Sequence, residues 1–427
     1  MGHGNRGYFK MQTRNKGSLL DRILKPFQSF GTGSFDIESG MKAREEGQYD
    51  RAHEIFGALA NEGNAEAQCE LGRLYFDGLG VSQNFVTSLE WVRKAADQNH
   101  AGGLNSVGVC YRNGLAVDAD LDVAMSYFVR GAEQGSVKAM FNLGNMHDVG
   151  GELAHDPGQA LSWYEKCLKA DRTYALAAYR AAVLVLQGSD PNPDRAVGLL
   201  QIAADQSLAD AQYTLGLIYD EGMGIPVNHA KARTYYLAAA NQDHPAAQIN
   251  LGNLYNEGIG VSQDHQRATE WYHRAAVMGV PAAEINMGKQ YQMGWGVAKD
   301  MDEALAWYQR AANGGEPVAY LNIGLMYLNW EGIEQSDIDA ALWLFKAAEC
   351  GEPRAMRWMA TLYDEGRGVP LDSVLALAYE QLAHDFGEFT DGATWHEFRQ
   401  KLNDAEAEKA LSLAANWSVG MPGLRAG

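Results

Sequence analysis

A glycine that returns every 36 residues constrains the fold of this chain more than any other feature of its sequence. Four of these glycines follow a leucine, and six precede a tyrosine by three residues. The glycines are Gly72, Gly108, Gly144, Gly216, Gly252, Gly288 and Gly324. Self-similarity at a fixed period is typical of repeat arrays, in which each unit buries its apolar face only against its neighbours. The 427 residues are therefore predicted to form a continuous array instead of separate globular domains.

Each unit contains two predicted helices. In the first helix, Ala283, Met287 and Tyr291 recur at steps of four and place an apolar stripe on one helical face. A glycine inside a helix costs about 1 kcal/mol relative to alanine, so its recurrence predicts that two helices approach closely there. Residues that favour helix N-termini mark the second helix in every unit; they are Asn84, Asp120, Asp156, Asn192, Asn228, Asp264, Asp300, Ser336 and Asp372. The sequence thus predicts nine helical hairpins.

The repeats predict how the chain is organised. We expect a basic tail at residues 1–34, a capping hairpin at 35–64, nine repeats at 65–387, capping helices at 388–417 and a frayed end at 418–427. The fourth repeat, about 172–207, is degenerate because Arg180 stands at the glycine position. A bulky side chain there would open the spacing of the neighbouring hairpins, unless the sequence has drifted without a change of shape.

The tail differs in charge from the rest of the chain. Six basic side chains and one acidic side chain give residues 1–34 a net charge of +5 and leave −24 on the remainder. Its apolar residues, which fit one face of an amphipathic helix, are Leu19, Leu20, Ile23, Leu24 and Phe27. Three fates are open: docking onto the acidic body of its own chain, contact with an anionic membrane surface, or a disordered linker. Self-docking is the favoured interpretation because the tethered body is present at high effective concentration.

Composition argues against several classes of function. The net charge of −19 disfavours nucleic acid as a partner, because phosphates require a basic surface. The four cysteines lie 41, 57 and 183 residues apart, without the paired spacing of a metal site or disulfide framework, and are expected to be reduced. No apolar run has the length of a signal peptide or a transmembrane helix, so we expect a cytoplasmic protein.

No catalytic, cofactor-binding or metal-binding arrangement is predicted. His53-Glu54 and His396-Glu397 begin the zinc-helix pattern H-E-x-x-H, but neither has the second histidine. A cluster of possible metal ligands surrounds one loop of the third repeat; it comprises His147, Asp148, His155 and Asp156. The favoured interpretation of this cluster is solvated loop residues together with a helix cap.

The repeat resembles the Sel-one-like repeat (SLR) family, a relative of the tetratricopeptide solenoids. The resemblance is fullest from Ala247 to Gly279, as Leu251-Gly252, Tyr255, Gly258, Gly260-Val261, Asp264, Arg267-Ala268, Trp271, Arg274 and Ala275-Ala276. It implies an all-α fold, a right-handed α/α superhelical solenoid of tandem helical hairpins. It also implies an adaptor, since members of the family serve bacterial signalling, envelope assembly, host interaction and protein quality control.

Two sets of residues are candidates for partner binding. The first set precedes the repeated glycine by two residues and comprises Asn142, Asn250, Asn286 and Asn322. These amides could hydrogen-bond an extended peptide, or they could tie neighbouring hairpins together. The second set comprises Trp295, Trp330 and Trp358, which lie outside the aromatic positions of the repeat. These rings could form a binding hot spot or fold back onto their own hairpins.

The sequence favours a non-catalytic scaffold or adaptor that binds a protein partner on the concave face of the solenoid. A dedicated inhibitor, such as an immunity protein for a single toxin or enzyme, is the alternative among binding proteins. A hydrolase is a weaker alternative, because the repeat accounts for nearly every recurrent polar residue without a catalytic site.

Overall fold

The computed structural model describes residues 35–148, 155–329, 334–388 and 392–424. Regular structure in this part of the chain consists of 22 α-helices, and it contains no β-strand. The chain divides into two compact units between Asp171 and Arg172. The basic tail, for which sequence analysis predicts docking on the body, lies outside the described residues.

The first unit contains eight described helices. They are α1 (Ile37–Glu45), α2 (Tyr49–Asn61), α3 (Ala65–Asp77), α4 (Phe85–Asp97), α5 (Ala101–Asn113), α6 (Leu121–Glu133), α7 (Val137–Asp148) and α8 (Pro157–Ala170). Consecutive helices pack as hairpins, so that α3–α4, α5–α6 and α7–α8 form the first three repeats. The first helices of successive repeats, such as α3 and α5, also contact each other.

The second unit continues with fourteen helices. They are α9 (Ala175–Gln187), α10 (Pro193–Asp205), α11 (Ala209–Glu221), α12 (His229–Ala240), α13 (Pro245–Glu257), α14 (His265–Val277), α15 (Pro281–Met293), α16 (Met301–Asn313), α17 (Pro317–Asn329), α18 (Asp337–Glu349), α19 (Pro353–Glu365), α20 (Ser373–Asp385), α21 (Ala393–Gln400) and α22 (Asp404–Ala415). The pairs α9–α10 to α19–α20 form repeats four to nine, and α21 and α22 pack on α20.

The repeated glycine makes room for a side chain of its own hairpin. In all seven copies, a Cβ built on the glycine would lie within 2.8 Å of the side chain that stands 20 residues further along. In the seventh repeat the distance from this Cβ to Cε1 of Tyr308 would be 2.5 Å. The predicted close approach is therefore confirmed, and its partner is a buried ring or aliphatic group on the second helix.

The nine predicted helix caps are confirmed. Each residue has non-helical backbone angles and its side chain accepts a hydrogen bond from a backbone N–H in the first turn of the second helix. The loop before the cap also joins repeats. Gly296, with φ at +71°, packs so tightly on the carbonyl of His265 that any Cβ would collide with it. A glycine is required there both for its backbone angle and for this contact with the preceding repeat.

The prediction for the fourth repeat is wrong at one position. The repeated glycine is always the eighth residue of its first helix, and α9 begins at Ala175, so the equivalent residue is Ala182 and not Arg180. Ala182 is fully buried and Arg180 is exposed. The first helix starts two residues late, and the following loop is two residues shorter, which returns Asn192 to the 36-residue interval. A small residue is thus kept at the packed position.

The two ends of the array carry additional structure. The hairpin α1–α2 packs on the first repeat, where the buried carboxylate of Glu70 binds the guanidinium groups of Arg44 and Arg73. At the other end, the expectation of a frayed segment is wrong for residues 418–424. The amide of Gly420 donates to the carbonyl of Glu349 at 2.9 Å, and Gly423 is buried. Backbone hydrogen bonds and apolar contacts therefore fix this segment.

Candidate partner-binding surface

The sixth residues of the first helices form a column that we call the first-helix column. It contains all four candidate asparagines: Asn142 on α7, Asn250 on α13, Asn286 on α15 and Asn322 on α17. Each is partly exposed beside a buried residue at the next position. The helical period of about 3.6 residues per turn explains this partial exposure, because it places the sixth residue at the edge of the apolar stripe.

Two of the asparagines tie neighbouring repeats together. The amide nitrogen of Asn142 donates to Oδ1 of Asn105 at 2.9 Å, which links the third repeat to the second. Asn250 is hydrogen-bonded to the hydroxyls of Tyr213 and Tyr236, which belong to the fifth repeat. Burial raises the pKa of both tyrosines, so these hydroxyls stay protonated at neutral pH. Asn142 and Asn250 therefore have structural partners.

The other two asparagines are different. Neither Asn286 nor Asn322 makes a side-chain hydrogen bond within the part of the chain that the structure describes. Both amides are partly exposed, on the first helices of the seventh and eighth repeats. An amide group offers two donors and one acceptor, which is the complement of a backbone peptide unit. Their polar groups are therefore available to a ligand.

Trp358 occupies the same column in the ninth repeat. It is the sixth residue of α19, it is partly buried, and it packs against the core cluster of the last two repeats. The column thus runs from Asn286 through Asn322 to Trp358 in three successive repeats. A partly buried tryptophan beside hydrogen-bonding groups is the composition of many interface hot spots.

The structure places Trp295 outside this column. Its ring stacks on His265 of the preceding repeat with centroids 5.2 Å apart, and the ammonium of Lys289 lies 5.7 Å from the ring centroid. Its carbonyl accepts a hydrogen bond from Thr269 at 3.1 Å. Trp295 therefore helps to join two repeats. Trp330, its predicted neighbour, lies outside the described residues.

Sequence reasoning missed a recurrent cation–π pair on the second helices. In six repeats a Lys or Arg lies over the aromatic ring three residues before it; the pairs are Trp91–Lys94, Tyr127–Arg130, Trp163–Lys166, Trp271–Arg274, Trp307–Arg310 and Trp343–Lys346. The distances from cation to centroid run from 3.6 Å to 5.4 Å. The spacing of three residues, which places both side chains on one helical face, was the available signal.

The loop cluster of the third repeat is held by ordinary hydrogen bonds. The ring Nδ1 of His155 lies 2.8 Å from the carbonyl of Asp148, and Asp156 caps α8. Backbone N–H groups lower the pKa of Asp156, as expected of a cap. In the described parts of the chain, no group of three or more His, Cys, Asp or Glu side chains is arranged to hold a metal ion.

The cysteines are unpaired in the structure, and three of the four are buried. Burial raises the pKa of Cys69 and Cys110 to about 11 and that of Cys167 to about 12. Because the thiolate is the reactive form, these three side chains are inert at neutral pH. Across the described ranges, no helix has both the length and the apolar character needed to cross a membrane.

Comparison with known proteins identifies the repeat. The sequence matches the Sel1 repeat family in nine segments, which are residues 65–100, 102–136, 137–167, 175–208, 209–244, 245–280, 281–316, 317–352 and 353–383. The exopolysaccharide production negative regulator of Rhizobium leguminosarum bv. viciae is 30% identical over 163 residues, 35% of this chain and 61% of the relative. Chitin synthase regulatory factor 3 of Schizosaccharomyces pombe is 29% identical over 200 residues, 43% of this chain and 21% of the relative. The similarity therefore covers less than two thirds of either relative.

Two solved structures share the fold. The protective antigen c5321 of uropathogenic Escherichia coli, which has an SLR fold, aligns with a TM-score of 0.75 and 29% identity, covering 86% of this chain and 79% of the antigen. A Sel1 repeat protein of Oxalobacter formigenes aligns with a TM-score of 0.60 and 28% identity, covering 74% of this chain and 91% of that one. Both similarities extend over most of the nine repeats.

Proposed function

This chain belongs to the Sel1 repeat family, and from that premise we propose that it is a non-catalytic scaffold. Sel1 repeat proteins generally mediate protein–protein interactions. The proposed partner is a protein that lays an extended segment along the first-helix column of repeats seven to nine. This stretch contains Asn286, Asn322 and Trp358.

The unused amides of Asn286 and Asn322 carry the proposal. Asparagines at the same helix position in repeats three and six are bonded to neighbouring repeats, whereas these two have no such partner among the described residues. Polar groups of this kind gain affinity when a ligand replaces water with matched hydrogen bonds. The names of two relatives, a negative regulator and a regulatory factor, are consistent with a protein that acts through partners.

Photo-crosslinking tests where the partner lies. A crosslinking amino acid at Lys289 or Leu325, three residues beyond the two asparagines on the same helical face, should capture the partner in cells. The matched control is the exposed Glu270 on the second helix α14, from which no crosslink to that partner is expected. A partner captured from Glu270 but not from the first helices would contradict the proposal.

Binding by purified proteins tests the two amides. The double change Asn286→Leu and Asn322→Leu should lower the affinity for the captured partner about tenfold or more, while the melting temperature of the chain stays nearly unchanged. Asn142→Leu is the matched control, because its amide is bonded within the array; it should lower stability and leave affinity unchanged. Calorimetry also gives the stoichiometry, which separates a scaffold with several partners from an inhibitor with a single tight one.

A further inference from the structure

The last residues that the structure describes occupy a groove between two repeats. The hydroxyls of Tyr363 and Tyr379 donate to the carbonyl of Leu424 at 3.2 Å and 3.0 Å. The amide of Gly423 donates to Oε1 of Glu349 at 2.8 Å. The backbone at Gly423 and Leu424 is thus held by two donors on the ninth repeat and one acceptor on the eighth.

The floor of this groove is apolar. The ring of Phe345 on α18 makes edge contacts with Tyr363 and Tyr379, with centroids 6.2 Å and 6.3 Å apart. Gly423 lies directly on this floor, where a Cβ would be 2.9 Å from Phe345 and from the Tyr379 hydroxyl. A residue without a side chain therefore lets the peptide backbone reach the two hydroxyls. We call this arrangement the C-terminal groove.

On the side of the eighth repeat, two residues of the second helix, α18, define the C-terminal groove. One is the apolar residue at the ninth position of the helix, Phe345, and the other is a glutamate four residues later, Glu349. The second repeat has the same pair, Val129 and Glu133. The other repeats lack it; their pairs are Arg93/Asp97, Glu165/Lys169, Gln201/Asp205, Leu237/Asn241, His273/Val277, Gln309/Asn313 and Gln381/Asp385. The sequence thus repeats this combination at one other place.

At that place the structure contains an open groove between the second and third repeats. It is lined by Val129, Glu133, Met140, Trp163, Lys166 and Lys169, and no described segment of the chain fills it. Trp163 is the seventh residue of α8, as Tyr379 is of α20, and its indole N–H can donate to a peptide carbonyl as the tyrosine does. We call this surface the second-repeat groove.

The charge at the rim distinguishes the two grooves. Lys166 and Lys169 stand in α8 where Leu382 and Asp385 stand in α20. Both lysines are exposed, and the Lys166 ammonium lies 3.6 Å from the centroid of the Trp163 ring. A peptide seated on this floor would therefore meet two positive charges on the side of the third repeat.

We propose that the second-repeat groove binds an extended acidic segment of a partner protein. The segment presents a glycine to Val129, donates a backbone N–H to Glu133, and carries carboxylates that face Lys166 and Lys169. The binding mode is based on the one that Gly423 and Leu424 adopt in the C-terminal groove. This surface is separate from the first-helix column of repeats seven to nine, so either proposal can fail without the other.

A labelled peptide tests the proposal on the full chain. The probe has the sequence of residues 418–424 followed by two aspartates, and its binding is measured by fluorescence anisotropy. We expect saturable binding at micromolar concentrations, weakened about tenfold when two lysines replace the aspartates. The double change Lys166→Glu and Lys169→Glu should reverse this preference, since it exchanges the sign of the rim charge. Equal affinity for the two peptides would overturn the proposal.

A second variant tests the floor. Val129→Glu should abolish measurable binding of the acidic peptide, because it places a carboxylate on the apolar surface. Leu237→Glu is the matched control, since Leu237 holds the same helix position in a repeat that has Asn241 in place of the glutamate. Unchanged binding to the Val129→Glu variant would mean that the peptide enters the C-terminal groove instead, and the proposal would be wrong. The exposed lysines give an independent test if this variant fails to fold.

Discussion

At the scale of single residues, the repeated glycine has a low helix propensity but leaves room for a side chain of the second helix. An alanine in its place would gain about 1 kcal/mol of propensity. At Gly288, however, the new Cβ would lie 2.5 Å from the ring of Tyr308, which is itself almost fully buried and cannot move aside. Overpacking of this kind typically costs 1–3 kcal/mol, so the steric effect should prevail.

We predict that Gly288→Ala lowers the melting temperature of the chain. Gly198→Ala is the matched control, because Gly198 also lies inside a helix but has no atom within 4 Å of a built Cβ. That change should raise stability by up to about 1 kcal/mol. Thermal melts of both variants provide the measurement. If the two changes shift the melting temperature in the same direction, the role assigned to the glycine is wrong.

A second prediction concerns a buried amide. Gln248 is fully buried, and its Oε1 has no hydrogen-bond partner in the described chain. At two other junctions the equivalent oxygen accepts from a glutamine 30 residues later: Gln98 donates to Gln68 at 2.9 Å and Gln242 donates to Gln212 at 2.8 Å. The residue 30 positions after Gln248 is the exposed Met278.

We predict that Met278→Gln stabilises the sixth and seventh repeats by about 1 kcal/mol, because it supplies the missing donor. Met278→Leu is the control, since it keeps the position apolar and should leave stability nearly unchanged. Hydrogen exchange of α13 and α14 measures the effect locally. Equal protection of these helices from exchange in both variants would show that a hydrogen-bond donor for Gln248 does not stabilise the repeats.

At the scale of the element, the fourth repeat tests how the first helix is placed. The structure predicts that Arg180→Ala changes stability by less than about 0.5 kcal/mol, because the side chain is exposed. Ala182→Leu should destabilise by about 1–3 kcal/mol, since Ala182 has no exposed surface. Thermal melts decide between the alternatives. The opposite ranking would restore Arg180 to the packed position.

Most helices were predictable because their signals are local. A cap residue acts on the N–H groups of its own helix, so all nine second helices could be placed from the sequence. The start of α9 could not be predicted. Its two-residue delay is cancelled by a loop that is two residues shorter, so Asn192 still lies 36 residues from the caps of the third and fifth repeats. The path of residues 418–424 depends on backbone hydrogen bonds to α18, α19 and α20, which leave no pattern in the segment itself.

The candidate surface was predictable only in part. The sequence placed Asn142, Asn250, Asn286 and Asn322 in one column, but whether an amide is already bonded depends on a residue of the neighbouring repeat. Asn142 meets Asn105, and Asn250 meets Tyr213. Comparing each asparagine with the polar residues on the preceding repeat, instead of comparing only equivalent positions, would have shown which amides are already bonded.

At the scale of the whole molecule, charge separates the tail from the body. Residues 1–34 carry +5 and the remainder −24, and the tail is tethered to α1. The cleft on this hairpin is lined by residues that include Tyr49, two acidic side chains, Asp50 and Glu54, and one basic side chain, Arg51. A short tether of this kind gives an effective concentration on the order of millimolar, whereas a single amphipathic segment has only weak affinity for membranes. We therefore propose that the tail docks on the cleft beside α2.

Deleting residues 1–34 tests this proposal. Hydrogen exchange of α1 and α2 should become faster in the shortened chain, and raising the salt concentration should speed exchange in the intact chain alone, because the attraction is between opposite charges. The double change Asp50→Asn and Glu54→Gln is the control, since it removes both acidic side chains of the cleft, leaves Arg51 and keeps the tail. It should mimic the deletion. Unchanged protection in both variants would contradict docking, and salt-sensitive binding of the intact chain to anionic vesicles would favour the membrane surface as the partner of the tail.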